Sequence, residues 1–514
     1  MVAILILTIL FILALPPLFF IPLVLCRIHR ICVILAAKIF QRGKLLHILH
    51  DMSTLFDAGP TFTRKAMTIV TILEVNSSRF DIEKLRKNFE FKVLDHRKKS
   101  NDSATLYPEL QCKLVQWWGY YFWEKCESFD IKNQIKYVNE REFPKLDFTN
   151  PENLSKLYNY ASHGRVWQKD SPLWEFLLVE NVDTPRGGGR TFLIWRCAHV
   201  LCDGRSVFKL VRKLFDDAID TLPVPTTVER KNSGGSSLSK VSKFLRLPYA
   251  IVEYVVNVEF DNTRVPQQYF HLEKDSCDIF SMTTNSLSMA DLKRIKNAYR
   301  VDFITLLLAG VAAGIRDAYL KRGLKIDTHI KVAFILPAKN HRDVLMNHLT
   351  TGAILLPIGE EDSVKRLLLI RNRVAAFRSS GIPEILNWYY NLLGSLPLPI
   401  LKKLIQYQPE ATVMVNNIFG HEEKLYLHGD EVNVPFTGVN IAVAENSGYA
   451  YDVRFYPYDG AGYLGVSGFD EYFSNVDDTS KYLDNCISEW NNLSNLVFAS
   501  SKETSMESMQ IKCM

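Results

Sequence analysis

The chain has 514 residues, room for a large core and more than one domain. Apolar residues make up 47% and charged residues 23%, an ordinary globular balance, and a net charge of +5 is too mild to argue for nucleic acid. The nine cysteines form no CxxC pair and no zinc-ligand spacing, so no metal is expected and reduced thiols in a cytosol-facing body are the plainer reading.

Residues 1–26, MVAILILTILFILALPPLFFIPLVLC, carry no charged side chain. About 20 apolar residues suffice to cross a bilayer. The charged start and small-residue cleavage site of a secretory signal are missing, so the segment reads as an uncleaved anchor. Arg27, His29, Arg30, Lys38, Arg42 and Lys44 follow and favour a cytosolic C-terminal flank. Pro16, Pro17 and Pro22 favour a kink, which makes a re-entrant hairpin the alternative to a span. Residues 31–44 fit an interfacial helix. With the body in the cytosol, Asn101-Asp102-Ser103 is a chance glycosylation triplet.

The body alternates strand-like and helix-like stretches. KAMTIVTILEV (65–75) predicts a buried strand and FDIEKLRKNFEFKVL (80–94) a helix. WEFLLVENV (174–182) and TFLIWRCAHV (191–200) predict two strands joined by DTPRGGGR, which lacks the residues of a phosphate-binding loop. RSVFKLVRKLFDDAID (205–220) is amphipathic. A stretch rich in Pro, Ser, Thr and Gly, 223–240, then predicts a linker. Helices are expected over 288–300 and 301–323, and strands over 329–338 and 411–420. A strand pair turning at Asn446-Ser447-Gly448 is expected over 438–458, then a closing helix over 479–497 and a disordered tail from about Ser500. The division is an anchor with basic flank (1–44), an N-terminal half (45–222), a crossover (223–280), a C-terminal half (281–499) and a tail (500–514).

One motif carries chemistry. The apolar strand runs into His199, and Asp203-Gly204 follows at once. An imidazole is well suited to take a proton near neutral pH. Asp203 suits a tight turn holding the loop, with Gly204 permitting an unusual backbone angle. His-x-x-x-Asp-Gly fixes only three positions and is weak by itself.

Its surroundings add weight. Pro172-Leu173-Trp174-Glu175, a strand, a loop, a second strand and His-x-x-x-Asp-Gly together resemble the wax ester synthase/diacylglycerol acyltransferase (WS/DGAT) family, of the CoA-dependent, chloramphenicol acetyltransferase-like superfamily. YFWEKCESFDIKNQIKYV (121–138) and NNIFGHEEKLYLHGDEV (416–432) are similar to further family segments, in order, and the resemblance spans about Leu46 to Val497. There are departures. The first histidine of the family's usual pair is Ala198, its Asn-Asp pair is Ile304-Thr305, and Asn416 and His421 replace the serine and proline of its Ser-Asn-x-x-Gly-Pro segment, leaving Asn417 and Gly420 as matches.

The resemblance implies an α/β fold of two acetyltransferase-like halves around a central tunnel, to which residues 1–26 add an N-terminal hydrophobic membrane anchor that the family's bacterial enzymes lack. It implies direct transfer of a long-chain acyl group from acyl-CoA to a lipid hydroxyl, a fatty alcohol or diacylglycerol, with His199 as general base and no bound cofactor. Asp203 would hold the loop through an ion pair to Arg342 or Arg205, and Asn416 or Asn417 would help bind the oxyanion. Cys197 and Cys202 are expected to pack, since no nucleophile is needed. The implied partners are acyl-CoA, the acceptor lipid and a membrane, the endoplasmic reticulum first, with the lipid droplet or plasma membrane next. Another superfamily acyltransferase and a non-catalytic lipid-binding protein are the alternatives. The aromatic run 117–125 suits either a membrane interface or a buried cluster, and the apolar stretch 388–407 is packed or interfacial.

Overall fold

The strand expected over 65–75 forms as Thr68–Val75 and lies inside a sheet of seven strands. Its β-branched residues fit a pleated surface covered on both sides, and Ile69, Val70, Ile72 and Leu73 are all buried. This is a computed structural model, and it describes residues 2–512 apart from short stretches, the longest being 217–236, 264–278 and 441–449. Strand Gly189–Ala198 pairs with Thr68–Val75 on one side and with Trp174–Asp183 on the other. Ile135–Tyr137 then adds in parallel to Trp174–Asp183. Helix Ile82–Phe89 buries Leu85 and Phe89 against Leu73, Trp174 and Trp195. Helix Pro151–Asn159 buries Leu157 and Tyr158 with Val70, Leu177 and Ile194.

The C-terminal half has its own seven-stranded sheet, in the order Ile279–Thr283, Ala461–Phe469, Tyr451–Tyr458, Val413–Asn417, Ile330–Pro337 and Leu349–Leu356, with Leu287–Ser288 also paired to Ala461–Phe469. Helix Phe303–Lys321 packs there beside helix Val476–Lys512. Among the described residues Phe303–Lys321 is the one helix long and apolar enough to cross a membrane, and 67% of its apolar window is buried in this core.

The chain departs from expectation in four places. The strand pair expected over 438–458 does not pair with itself. Phe436–Asn440 crosses to the other half and lies against Thr68–Val75, while Tyr451–Tyr458 pairs with Val413–Asn417 and Ala461–Phe469. Hydrophobic patterning marks a strand but does not choose its neighbour, and the expected turn at 446–448 lies outside the described residues. The crossover expected over 223–280 contains a helix, Ser237–Tyr254. The closing helix runs on through the expected disordered tail to Lys512, a stretch with good helix formers such as Met506, Glu507, Met509 and Gln510. The apolar N-terminus and its basic flank form two helices, Val2–Leu15 and Ile21–Phe40, with 16–20 outside the described residues. A helix of 14 residues is about 21 Å long at 1.5 Å per residue, short of the ~30 Å hydrocarbon core.

Candidate active site

His199 is the first residue beyond strand Gly189–Ala198. Its backbone N–H still reaches the neighbouring strand's approach, donating to the Met67 carbonyl at 2.7 Å. The Pro172-Leu173-Trp174 element builds the floor. Leu173 O accepts from Ala198 N at 3.0 Å, and the Trp174 indole donates to Leu110 O at 2.8 Å while stacking on Phe89. Leu173 and Trp174 lie in the core of this half.

The imidazole is 5% exposed. The Phe56 ring lies parallel to it, 3.9 Å between centroids. Among the described residues its buried Nδ1 has no hydrogen-bond partner. Burial pushes the His199 pKa down to about 4, and the polar groups and Asp203 charge that oppose this do not offset it. Near neutral pH the ring is therefore an unprotonated base.

Asp203 caps helix Gly204–Arg212, accepting from Ser206 N at 2.9 Å. It also accepts from His348 N at 2.9 Å and from His341 Nε2 at 3.1 Å. Among the described residues the side chain that reaches the Asp203 carboxylate is thus His341, where Arg342 or Arg205 was expected. His341 Nδ1 meets the Arg342 carbonyl at 2.7 Å. One ring nitrogen thus faces the carboxylate and the other a backbone carbonyl. Burial would raise the Asp203 pKa, but the hydrogen bonds from His341, His348 and Ser206 outweigh it and hold it below its ordinary value. Gly204 also differs from expectation. It takes no left-handed angle, and a Cβ there would meet nothing within 4 Å. The turn is made by Asp203 capping a helix, a job that asks nothing unusual of the next residue.

Asn347 ties these parts together. Fully buried, it donates from Nδ2 to the His199 carbonyl at 2.7 Å and to Ser53 Oγ at 3.0 Å. Ser53 belongs to the short helix Asp51–Thr54, just before Phe56. Asp51 pairs in turn with Arg30 of helix Ile21–Phe40. Three distant stretches of sequence thus converge on one loop. Asn347, His341, Ser53 and Phe56 were not foreseen, because each stands alone in the sequence with no motif around it.

Cys197 and Cys202 are buried and unbonded to each other, and burial, with Cys197 beside it, pushes the Cys202 thiol well up. Asn416 is half-buried and Asn417 exposed at the end of strand Val413–Asn417. Among the described residues neither makes a hydrogen bond to the His199 loop. Gly420 is required by close approach, since a Cβ there would fall 1.7 Å from the Pro457 carbonyl. His421 stacks on Phe208 of the helix that Asp203 caps, at 4.4 Å between centroids.

Comparison with known proteins bears on the residues just described. Residues 346–483, from Met346 and Asn347 through the crossing strands, match the WS/DGAT C-terminal domain. That similarity lies within the C-terminal half of the chain. The chain is 17% identical over 336 residues to a probable diacylglycerol O-acyltransferase of Mycobacterium tuberculosis, covering 60% of this chain and 71% of that one. The fold is similar to that of the wax ester synthase/diacylglycerol acyltransferase of Marinobacter aquaeolei VT8 (TM-score 0.55, 14% identity, 88% of this chain and 100% of that one). It is shared too with a trichothecene 15-O-acetyltransferase of Fusarium sporotrichioides (TM-score 0.57, 13% identity, 87% and 95%). The first condensation domain of the CDA synthetase has the same α/β architecture (TM-score 0.57, 10% identity, 88% and 96%).

Proposed function

We propose that this protein is an enzyme of the WS/DGAT type and transfers a long-chain acyl group from acyl-CoA to the hydroxyl of a membrane lipid, a fatty alcohol or diacylglycerol, with His199 as general base. The observation that carries this reading is the buried, neutral imidazole whose loop is held from the C-terminal half by Asn347. His199 takes the hydroxyl proton as the oxygen attacks the thioester carbonyl. The tetrahedral intermediate collapses with cleavage of the C–S bond, and the imidazolium returns the proton to the CoA thiolate. No acyl-enzyme forms. Asp203 holds the loop through His341, and Asn416 or Asn417 is the donor assigned to the oxyanion from the C-terminal half. The tunnel between the halves carries CoA to His199 from one face. The apolar N-terminal segment keeps the cytosolic body at the membrane where the acceptor resides.

The test is an assay on membranes carrying the protein or its His199→Ala variant, with labelled long-chain acyl-CoA and hexadecanol and diacylglycerol in competition. Ester formation should fall by roughly 10²–10⁴-fold in the variant, and the product ratio names the acceptor. Because burial holds the His199 pKa at about 4, the acid limb of kcat/KM should lie near pH 4 and not near 6.5, and activity should survive at pH 5.5. A folded His199→Ala protein with undiminished transfer would remove His199 from the mechanism.

A further inference from the structure

Trp118 occupies a position where a large side chain is least expected. Strands Cys112–Trp117 and Tyr120–Lys125 close on the Trp117–Tyr120 pair, leaving Trp118-Gly119 as a two-residue turn. Both turn residues have positive φ, 45° and 82°. Turns of this kind favour Asn-Gly or Gly-Gly, and a bulky residue at positive φ is an outlier. The Trp118 indole is 60% exposed and lies flat on Trp117.

The neighbours share this character. Gly119 O accepts from Leu398 N at 2.8 Å, the start of helix Leu398–Ile405. That helix exposes Ile400 and Leu404 alongside Lys402 and Lys403, and helix Ile382–Gly394 before it exposes Trp388 and Tyr389. On the hairpin's other side Tyr120 and Phe122 pack on Val33 and Ala37 of helix Ile21–Phe40. The outer side of that helix leaves Ile28, Ile31, Leu35, Ile39 and Phe40 exposed. Helix Ser237–Tyr254 touches both Val2–Leu15 and Ile382–Gly394. The exposed aromatic and apolar groups therefore adjoin both N-terminal helices.

We propose that Trp118, Trp388 and helix Leu398–Ile405 form a docking face for an anionic phospholipid bilayer, with the Trp118 indole at the headgroup level. This rests on the reading that the N-terminus holds the chain at a membrane, and it adds the part of the body that lies on the lipid. Charge favours a bilayer over a second copy of the chain. No acidic residue precedes Asp51, Lys38, Arg42 and Lys403 belong to this side, and Glu384 is the acidic residue of the two helices after Gly381. The apolar surface also exceeds a dimer stripe, since Val2–Leu15 exposes Leu5, Ile6, Leu7, Ile9, Leu10 and Leu13. Tryptophan and tyrosine favour the water–lipid boundary, where one end of the ring is wet.

The full chain is mixed with phosphatidylcholine–phosphatidylserine vesicles, part of the lipid brominated, and tryptophan fluorescence is read. Bromine should quench the wild type, and the quenchable fraction should fall in Trp118→Phe and again in Trp388→Phe. Trp118→Gly, which suits the turn, should melt no lower than the wild type and bind vesicles at least threefold more weakly. Vesicle binding with the same quenchable fraction in Trp118→Phe would overturn the docking face and leave the N-terminal anchor intact. Absence of any vesicle binding would sink the anchor as well. A shielded Trp118 in a chain that sediments as a dimer would assign the face to a second copy and overturn the proposal.

Discussion

At the scale of single residues, the loop around His199 separates side chains that hold geometry from those that only suit it. Asn347 spends its amide on the His199 carbonyl and Ser53. Asn347→Ala leaves that buried carbonyl unpaired, at a cost of about 1–3 kcal/mol. Transfer should fall in kcat more than in KM, because the base is displaced and not the lipid site. A stopped assay over acceptor concentration reads the split, and an unchanged kcat would show that the loop holds without Asn347. Gly204 is the counterpart. With open space and an ordinary backbone angle, Gly204→Ala should keep or raise the melting temperature, by up to ~1 kcal/mol of stability. Any activity lost in that stable protein would place substrate against Gly204. The sequence made His199 and Asp203 visible because strand, histidine, aspartate and helix are contiguous. It hid His341 and Asn347 because their contacts cross 138 and 148 residues of chain. Two arginines looked the better partners for a carboxylate by charge alone. The structure prefers a histidine because His341 and His348 flank the loop that closes over Asp203.

At the scale of elements, strands whose period and β-branching are strong were legible: Thr68–Val75, Trp174–Asp183, Gly189–Ala198 and Ile330–Pro337 all appear where patterning puts them. Their partners were not. Patterning over 438–458 predicts a local hairpin, whereas Phe436–Asn440 crosses to the other sheet, a choice made by tertiary packing that no short window contains. Gly420 sits just before this crossing, and its hydrogen meets the Pro457 carbonyl closely enough that no side chain fits. Gly420→Ala must push strand Tyr451–Tyr458 away from its neighbour and shift His421 on Phe208. The expected result is a loss of several degrees in the melting temperature together with lower transfer activity, read by calorimetry and assay on the same preparation. A variant with unchanged melting would mean that the backbone yields here at little cost.

At the scale of the whole molecule, buried histidines set the response to acid. His163, His199 and His421 have pKa values pushed down to about 3, 4 and 4, chiefly by burial. An unfolded histidine titrates near ~6.5. Between about pH 6.5 and 4 the unfolded chain therefore binds more protons than the folded one, and stability falls as the pH drops. The lowered Asp203 pKa acts further down, its contribution present above its ordinary range and lost as pH falls through the folded value. Urea unfolding should show a lower midpoint at pH 5 than at pH 7.5, and His421→Gln should reduce that difference. Equal midpoints at the two pH values would refute the account. The path from Arg30 to Asp51, and from there through Ser53 and Phe56 to Asn347 and His199, has a practical corollary for anyone trimming the protein for crystallisation. A cut at residue 44, after the basic flank, discards the brace that seats the residues over the imidazole. A cut between the two N-terminal helices sheds the most water-averse stretch and spares the brace, and the second of these shortened proteins is the one to crystallise.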